Sequence, residues 1–450
     1  MYAGKNDKTG LKVSVGKYEQ DYYKYKDVKT DVTKRRAGKT DFENKKASIE
    51  LSQDLNEDYT LLVGYDYSEY DGYYSNSFGT YYKNRKTNNF YSRYQWALKD
   101  DNLGYFQYYH NKMDYENQGG MEEKINGLDL QQELVFNDEH KLVAGANWRE
   151  AEAANESSYA EGGKIRNTSL YVSDNWSFGE GWSLNGGVRY DDHSKAGDDT
   201  TWSFGLNKQL GENSHIYANW GQVFKAPTTD DLYYNSAFES NGKTYISKGD
   251  PNLKPETGES WTIGYGAQID EATNIGISYF KADLEDAIDW SNEFDVATNT
   301  STSICSNIDK QKREGMEFTI NHSLNDNLSL EGSYTYVKVR NNDAGAGYER
   351  DDNQVPNIYR FGVNYKDGQW DSTLSLRAGS GASAKKYVDS SYVTMDLVVK
   401  YQQSENLSFY AKAYNLFNEA YAEYAGLDGM GGYSNPAESR RFIIGAEYTF

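Results

Sequence analysis

The stretch LYVSDNWSFGEGWSLNGGVRYDD (residues 170–192) decides the fold. On its first limb Leu170, Val172, Trp176 and Phe178 alternate with Ser169, Ser173, Asn175 and Ser177. On its second limb Leu184, Gly186, Val188 and Tyr190 alternate with Ser183, Asn185 and Arg189. GEGW (179–182) lies between them. Period-two alternation marks a strand with one apolar and one polar face, and a short polar turn between two such segments marks a hairpin. The pattern repeats outward in both directions. Tyr59, Leu61, Val63, Tyr65 and Tyr67 share a face opposite Thr60, Gly64, Asp66 and Ser68, with Leu62 out of step. The last segment places Phe442, Ile444, Ala446, Tyr448 and Phe450 on one face.

The connections are of two kinds. Short polar turns recur as LNED (55–58), KDDN (99–102), NDEH (137–140), LGEN (210–213), IDEAT (269–273), LNDN (324–327), KDGQ (366–369) and QSEN (403–406). Between successive turns lie two strands and a long polar connection, for example 70–87, 191–200 and 224–259. Short turns at one end and long loops at the other are the plan of an outer-membrane β-barrel. If Phe450 ends a strand at the periplasmic side, every short turn is periplasmic, and the first strand, around residues 11–18, also starts there. That parity requires an even number of strands, of which about 20 can be placed. Alternation alone does not say which face looks outward, since a soluble β protein alternates too. Size decides. A barrel this wide has too much interior to fill with side chains, so its apolar face must meet lipid.

Composition agrees. The chain has 450 residues, with 68 Asp and Glu against 47 Lys and Arg, a net charge of −21. Nucleic acid is excluded as a partner, because phosphate binding needs a basic face. Mean hydropathy is −0.88, and no apolar run approaches the roughly 20 residues of a membrane helix. With 42 Tyr, 17 Phe and 9 Trp, the chain is too aromatic for a disordered one. A single cysteine, Cys305, rules out a disulfide framework or zinc cluster. The first residues, MYAGKNDKTG, carry no apolar signal-peptide core. A mature or trimmed chain is expected.

Several longer motifs then fall into place. WGQVFKAPTTDDLYY (220–234), followed by GDPNLKPETGESWTIGYG (249–266), resembles the central signature of TonB-dependent outer-membrane receptors. SNIDKQKREGMEFTI (306–320), AYNLFNEAYAEY (413–424) and RRFIIGAEYTF (440–450) resemble their downstream strand and C-terminal box. The resemblance runs over 8–450 and is strongest from Trp220 onward. It implies an all-β transmembrane antiparallel barrel of about 22 strands, in the outer membrane of a Gram-negative cell. Residues 1–7 then read as an N-terminal remnant or the end of a plug–barrel linker, and 8–450 as the barrel. The plug domain and TonB box of such receptors are missing from this stretch. Each motif also has a local reading: Pro227 and Pro251 stiffen a loop without breaking a ladder, and Asn415 and Asn418 form turns.

The resemblance further implies uptake of a scarce metal chelate, with a ferric siderophore as first choice and cobalamin as second. The alternative is a plugless barrel acting as a passive diffusion channel. Expected partners are outer-membrane lipid and lipopolysaccharide, the chelate, the TonB complex where a plug is present, and the barrel assembly machinery, which would read Phe450. No nucleophile motif is visible, and no enzyme is expected.

Anionic chelates are held by cations. Lys34, Arg35 and Arg36 form one basic knot, and Lys83, Arg85 and Lys86 another. Aromatic faces with a hydroxyl suit polycyclic ligands, and Tyr73, Tyr74, Tyr81, Tyr82, Tyr233, Tyr234, Tyr245 and Tyr424 lie in the expected loops. Each of these tyrosines also reads as a rim or girdle residue. Haem is disfavoured, because no histidine lies between Phe224 and Leu253. Asp191, Asp192, Asp198 and Asp199 offer hard oxygen ligands for a loop Ca²⁺, although their spacing is not that of an EF-hand. No other cofactor is expected.

Overall fold

A computed structural model describes all residues except 1, 23, 36–40, 77–78, 99–101, 117–120, 138, 156–158, 241, 343–344, 386, 424–435 and 450. One sheet of 24 strands holds most of the chain. Four of these strands are short: Tyr2–Lys5, Asn235–Ser240, Lys243–Lys248 and Glu349–Arg350. The other twenty are long, from Thr9–Gln20 to Arg441–Tyr448, and successive ones pair antiparallel in chain order. Among the described residues Tyr2–Lys5 pairs with Thr9–Gln20 as a further wall strand.

The two ends of this sheet meet. Asn418 Nδ2, between the last two strands, donates to Thr33 Oγ1, between the first two long ones, at 3.1 Å. Ser439 N donates to Lys24 O at 2.9 Å, and Tyr25 bridges Glu438. A sheet whose first and last connections touch has curled into a barrel.

The faces sort as the sequence predicts. Leu170, Val172, Trp202, Phe204, Ile263, Phe361 and Ile444 are exposed on the outer face. Such a belt is stable only against lipid. Trp176 stacks on His140 at 5.6 Å, and Trp370 lies 4.8 Å from Tyr401, forming an aromatic girdle near the short turns. The inner face is polar and hydrogen-bonded. There Tyr91 reaches Glu50, and its ring lies where a Cβ on Gly64 would be, 2.2 Å away. Glycine is needed wherever a lumen ring lies flat on the neighbouring strand.

Two expected long loops are instead hairpins. Tyr59–Asn76 and Gly79–Leu98 stay in register up to Asn76 opposite Gly79. Trp182–His193 and Gly197–Leu210 stay paired up to His193 opposite Gly197. Beyond the lipid both faces of a strand turn polar, so the apolar alternation fades while the backbone ladder continues. With 18 and 20 residues, the first pair far exceeds the roughly 9–11 that a span needs. The third expected loop is real. Residues 226–255 hold a helix, Thr229–Tyr233, and a hairpin, Asn235–Ser240 with Lys243–Lys248. The second arm of that hairpin pairs parallel with the start of Thr300–Asn325.

Candidate functional site

Residues 226–255 fold back against the lumen wall. Thr228 caps the helix: its Oγ1 accepts from Asp231 N at 3.2 Å, and Asp231 Oδ2 accepts from Thr228 N at 2.9 Å. The reciprocal bonds fix where the chain turns inward. The helix rests on His140–Asn155 and Tyr159–Phe178. Leu232 is buried there with Leu253 and Cys305, against Ile165, Ile288 and Trp290. The Tyr159 hydroxyl, above the lipid belt, donates to the Asp230 carboxylate. Burial, reinforced by Asp230, pushes that phenol well above its ordinary range. Cys305 Sγ donates to Asp231 Oδ1 at 3.7 Å, and burial first, then Asp231, pushes the thiol up to about 12.

A cavity of about 350 Å³ lies beneath this loop, lined by Glu123, Arg149, Asn167, Arg189, Asp191, His193, Phe224 and Thr228 among others. Arg189 is locked. Its Nε donates to Asp191 Oδ2 at 2.7 Å and its Nη2 to Ser169 Oγ at 2.6 Å. Asn167 holds the other Asp191 oxygen at 2.9 Å. Arg149 differs: it is exposed in the cavity and makes no hydrogen bond or ion pair among the described residues. A guanidinium held ready in a polar cavity is suited to a carboxylate, phosphate or catecholate oxygen.

The basic knots do not act as units. Lys34 is paired with Asp27 at 2.8 Å, and that bond holds the Asp27 carboxyl well below the ordinary range. Arg35 ends the short strand Thr33–Arg35, while Arg36 lies outside the described residues. Alternation splits the second knot. Lys86 shares the outer face with Phe90 and lies 3.8 Å from Glu69. Arg85 lies on the lumen face with Tyr91, and Lys83 on the same face stands over the Tyr115 ring at 5.2 Å.

The tyrosines mostly build the loops. Tyr73 and Tyr82 meet edge to face at 5.5 Å, and the Tyr82 hydroxyl donates to Asp71. Tyr74 and Tyr81 oppose each other in the ladder, with side chains outside the described set. Tyr233 lies under Lys195 at 5.8 Å. Tyr234 packs edge-on against Tyr159 and Trp290, and Tyr245 stacks on Phe238 at 5.1 Å. Tyr424 lies outside the described residues.

The four aspartates do not converge. Asp191 opposes Asp199, and Asp192 opposes Asp198. One pair therefore faces the lumen and the other faces outward. Asp191 is already held by Arg189. Among the described residues no group of three or more acidic, His or Cys side chains stands at metal-binding spacing. Arg149 and Arg189 escape a sequence reading because each is a single polar-face residue with no local motif. The signal for both is position: the lumen face, near the outer end of a strand.

A family model described as TonB dependent receptor-like, beta-barrel matches residues 2–416. The vitamin B12 transporter BtuB of Vibrio vulnificus is 27% identical over 343 residues, covering 72% of this chain and 48% of the relative. That of Photobacterium profundum is 25% identical over 286 residues, covering 62% and 44%. The chain thus spans about half the length of the curated relatives it matches. Among solved structures, the siderophore receptor PirA of Acinetobacter baumannii superposes with a TM-score of 0.80 at 14% identity, covering 99% of this chain and 76% of that one. PirA of Pseudomonas aeruginosa gives 0.76 at 18%, covering 100% and 76%. The copper transporter OprC gives 0.81 at 15%, covering 100% and 77%. At these identities the superpositions speak for the fold alone.

Proposed function

The chain belongs to the TonB-dependent receptor-like β-barrel family of the outer membrane, and we propose on that footing that it takes up a scarce metal chelate too large for a porin. A ferric siderophore is the first choice and cobalamin the second. The observation that carries the reading is Arg149, an exposed guanidinium that lines the cavity under residues 226–255 with Glu123 and makes no hydrogen bond or ion pair among the described residues. The names of the similar proteins support the same range of cargo: two relatives are vitamin B12 transporters, two structures are siderophore receptors and one is a copper transporter. In this reading the chelate is bound at the mouth, with its oxygens on Arg149 and its bulk against Phe224. Energy comes from the TonB complex acting on a plug domain. Lipopolysaccharide surrounds the outer half of the belt, and the assembly machinery reads Phe450.

The test is a titration of the purified chain, refolded in detergent, followed by tryptophan fluorescence. A ferric tris-catecholate siderophore should quench saturably, and Arg149→Ala should weaken it about tenfold, or 1.4 kcal/mol. Saturation by cyanocobalamin alone would select the second choice. Conductance without saturable binding of either would replace the receptor reading with a diffusion channel.

A further inference from the structure

A second part of the lumen wall carries two arginines face to face. Arg360, on Asn357–Asp367, and Arg377, on Trp370–Ser380, are register partners across one hairpin. Tyr359 and Phe361 are exposed outward, so Arg360 between them faces the lumen. Directly opposed residues stand with Cβ atoms about 5 Å apart, and like charges so placed repel. On its other side Arg377 opposes Thr394, not an acid. Among the described residues one carboxylate answers the pair: Glu423, on the connection between the last two strands, forms an ion pair with Arg377 while remaining half exposed. Arg360 has no ionic or hydrogen-bond partner among the described residues.

The surroundings are unfinished in the same way. Arg377 Nε and the Tyr392 hydroxyl are shut off from solvent without a hydrogen-bond partner among the described residues, and Tyr392 is only 6% exposed. Buried polar groups left so are uncommon and call for an explanation. Both arginines line a cavity of about 430 Å³. Asp396 and Glu331 line it too, but each lies two residues further from the mouth along its strand pair. Asp396 is engaged by Asn415 N at 2.7 Å. The positive end of the cavity is therefore its upper lip.

We infer that Arg360, Arg377 and Tyr392 form an oxyanion-binding subsite, and that Glu423 occupies it as an internal stand-in. A ligand bearing carboxylate, phosphate or catecholate oxygens takes the place of Glu423 on the two guanidiniums. The departing Glu423 loosens its segment, which is otherwise tacked down by Tyr421 on Tyr392 at 4.7 Å and by the Tyr387 hydroxyl on Glu423 O at 3.3 Å. The inference rests on the uptake reading only for which anion arrives.

The stand-in gives two opposite signs, which a structural role does not. The probe is citrate, a metal-free tricarboxylate, titrated calorimetrically into the refolded chain at low salt. Arg360→Ala should weaken binding about tenfold, and Arg360→Lys less, since it keeps the charge but loses the fork. Glu423→Gln should tighten binding about threefold or more, because a competing carboxylate is gone. Circular dichroism and heat-modifiable gel mobility establish that each variant is folded. Unchanged affinity in Arg360→Ala, weaker binding in Glu423→Gln, or no citrate binding in any form would overturn the subsite. The siderophore titration at Arg149 is read separately, so either result can fail without the other.

Discussion

Two connections turn into the lumen, and they are held there in different ways. Residues 226–255 bury a small apolar core against the wall: Pro227 and Leu232 are almost fully buried, Cys305 of the wall strand Thr300–Asn325 completely, and a capped helix fixes their direction. Residues 415–423 are held by separate polar contacts, Asn415 on Asp396, Glu423 on Arg377 and Asn418 on Thr33, around a smaller cluster among the described residues, Tyr387 and Ala422 with Val28, Val355 and Ala382 packed against them. Apolar burial is lost all at once or not at all. Polar contacts exchange singly with water or with a ligand's oxygens. The first connection therefore belongs to the scaffold, and the second is the part that a ligand can move.

The largest effect expected from this contrast is at Cys305. Its thiol is pushed up to about 12 by burial, so the folded state keeps its proton where an unfolded chain, with a thiol pKa near 8.5, loses it. Stability of this packing is thus full below the ordinary thiol range and declines as pH rises through it. Iodoacetamide labelling should be negligible at pH 8 and still climbing at pH 11. Leu232→Ala removes the neighbouring side chain and should cost about 2–5 kcal/mol of docking. Labelling at pH 8 should then become rapid, and trypsin should cut at Lys243 or Lys248. Equal resistance in wild type and variant would show that the core is not what holds the loop.

A smaller effect is expected at Tyr159, where the helix is tied to the wall through Asp230. A hydrogen bond to a charged group is worth about 1.5–3 kcal/mol. Tyr159→Phe should raise tryptic cleavage of the same loop by less than Leu232→Ala does. A larger effect than Leu232→Ala would make this connection polar in its attachment too, and the contrast would fail.

The scaffold was more legible in the sequence than the site. Period two and the short turns place the strands because lipid imposes an apolar face on each. The loop lengths at 70–87 and 191–200 mislead, since nothing apolar marks a ladder that continues above the belt. The knot at Lys83, Arg85 and Lys86 misleads for a different reason: neighbours in a strand point to opposite sides. Arg360 and Arg377 were readable in principle. Each lies eight residues from the two-residue turn Gly368–Gln369 inside KDGQ, and a hairpin's register pairs such residues. What no sequence pattern supplies is Glu423, brought to Arg377 by the path of a connection rather than by a ladder.

The smallest effect should come from Asn418, which ties the last connection to the first. Its Oδ1 also accepts from Arg440 N at 3.0 Å. Both bonds are exposed, so water replaces them readily and each contributes about 0.5–1 kcal/mol. Asn418 has a φ of 53°, where glycine but not alanine is unstrained, so Asn418→Gly should leave the barrel's unfolding midpoint nearly unchanged. It should speed amide exchange locally, at Ser439, whose N–H donates to Lys24 O across the same contact. Exchange at Leu232, whose N–H donates to Thr228 O inside the capped helix, should not move. If Asn418→Gly accelerated both, the two connections would be one cooperative unit, and a ligand displacing Glu423 would loosen the whole mouth rather than one segment of it.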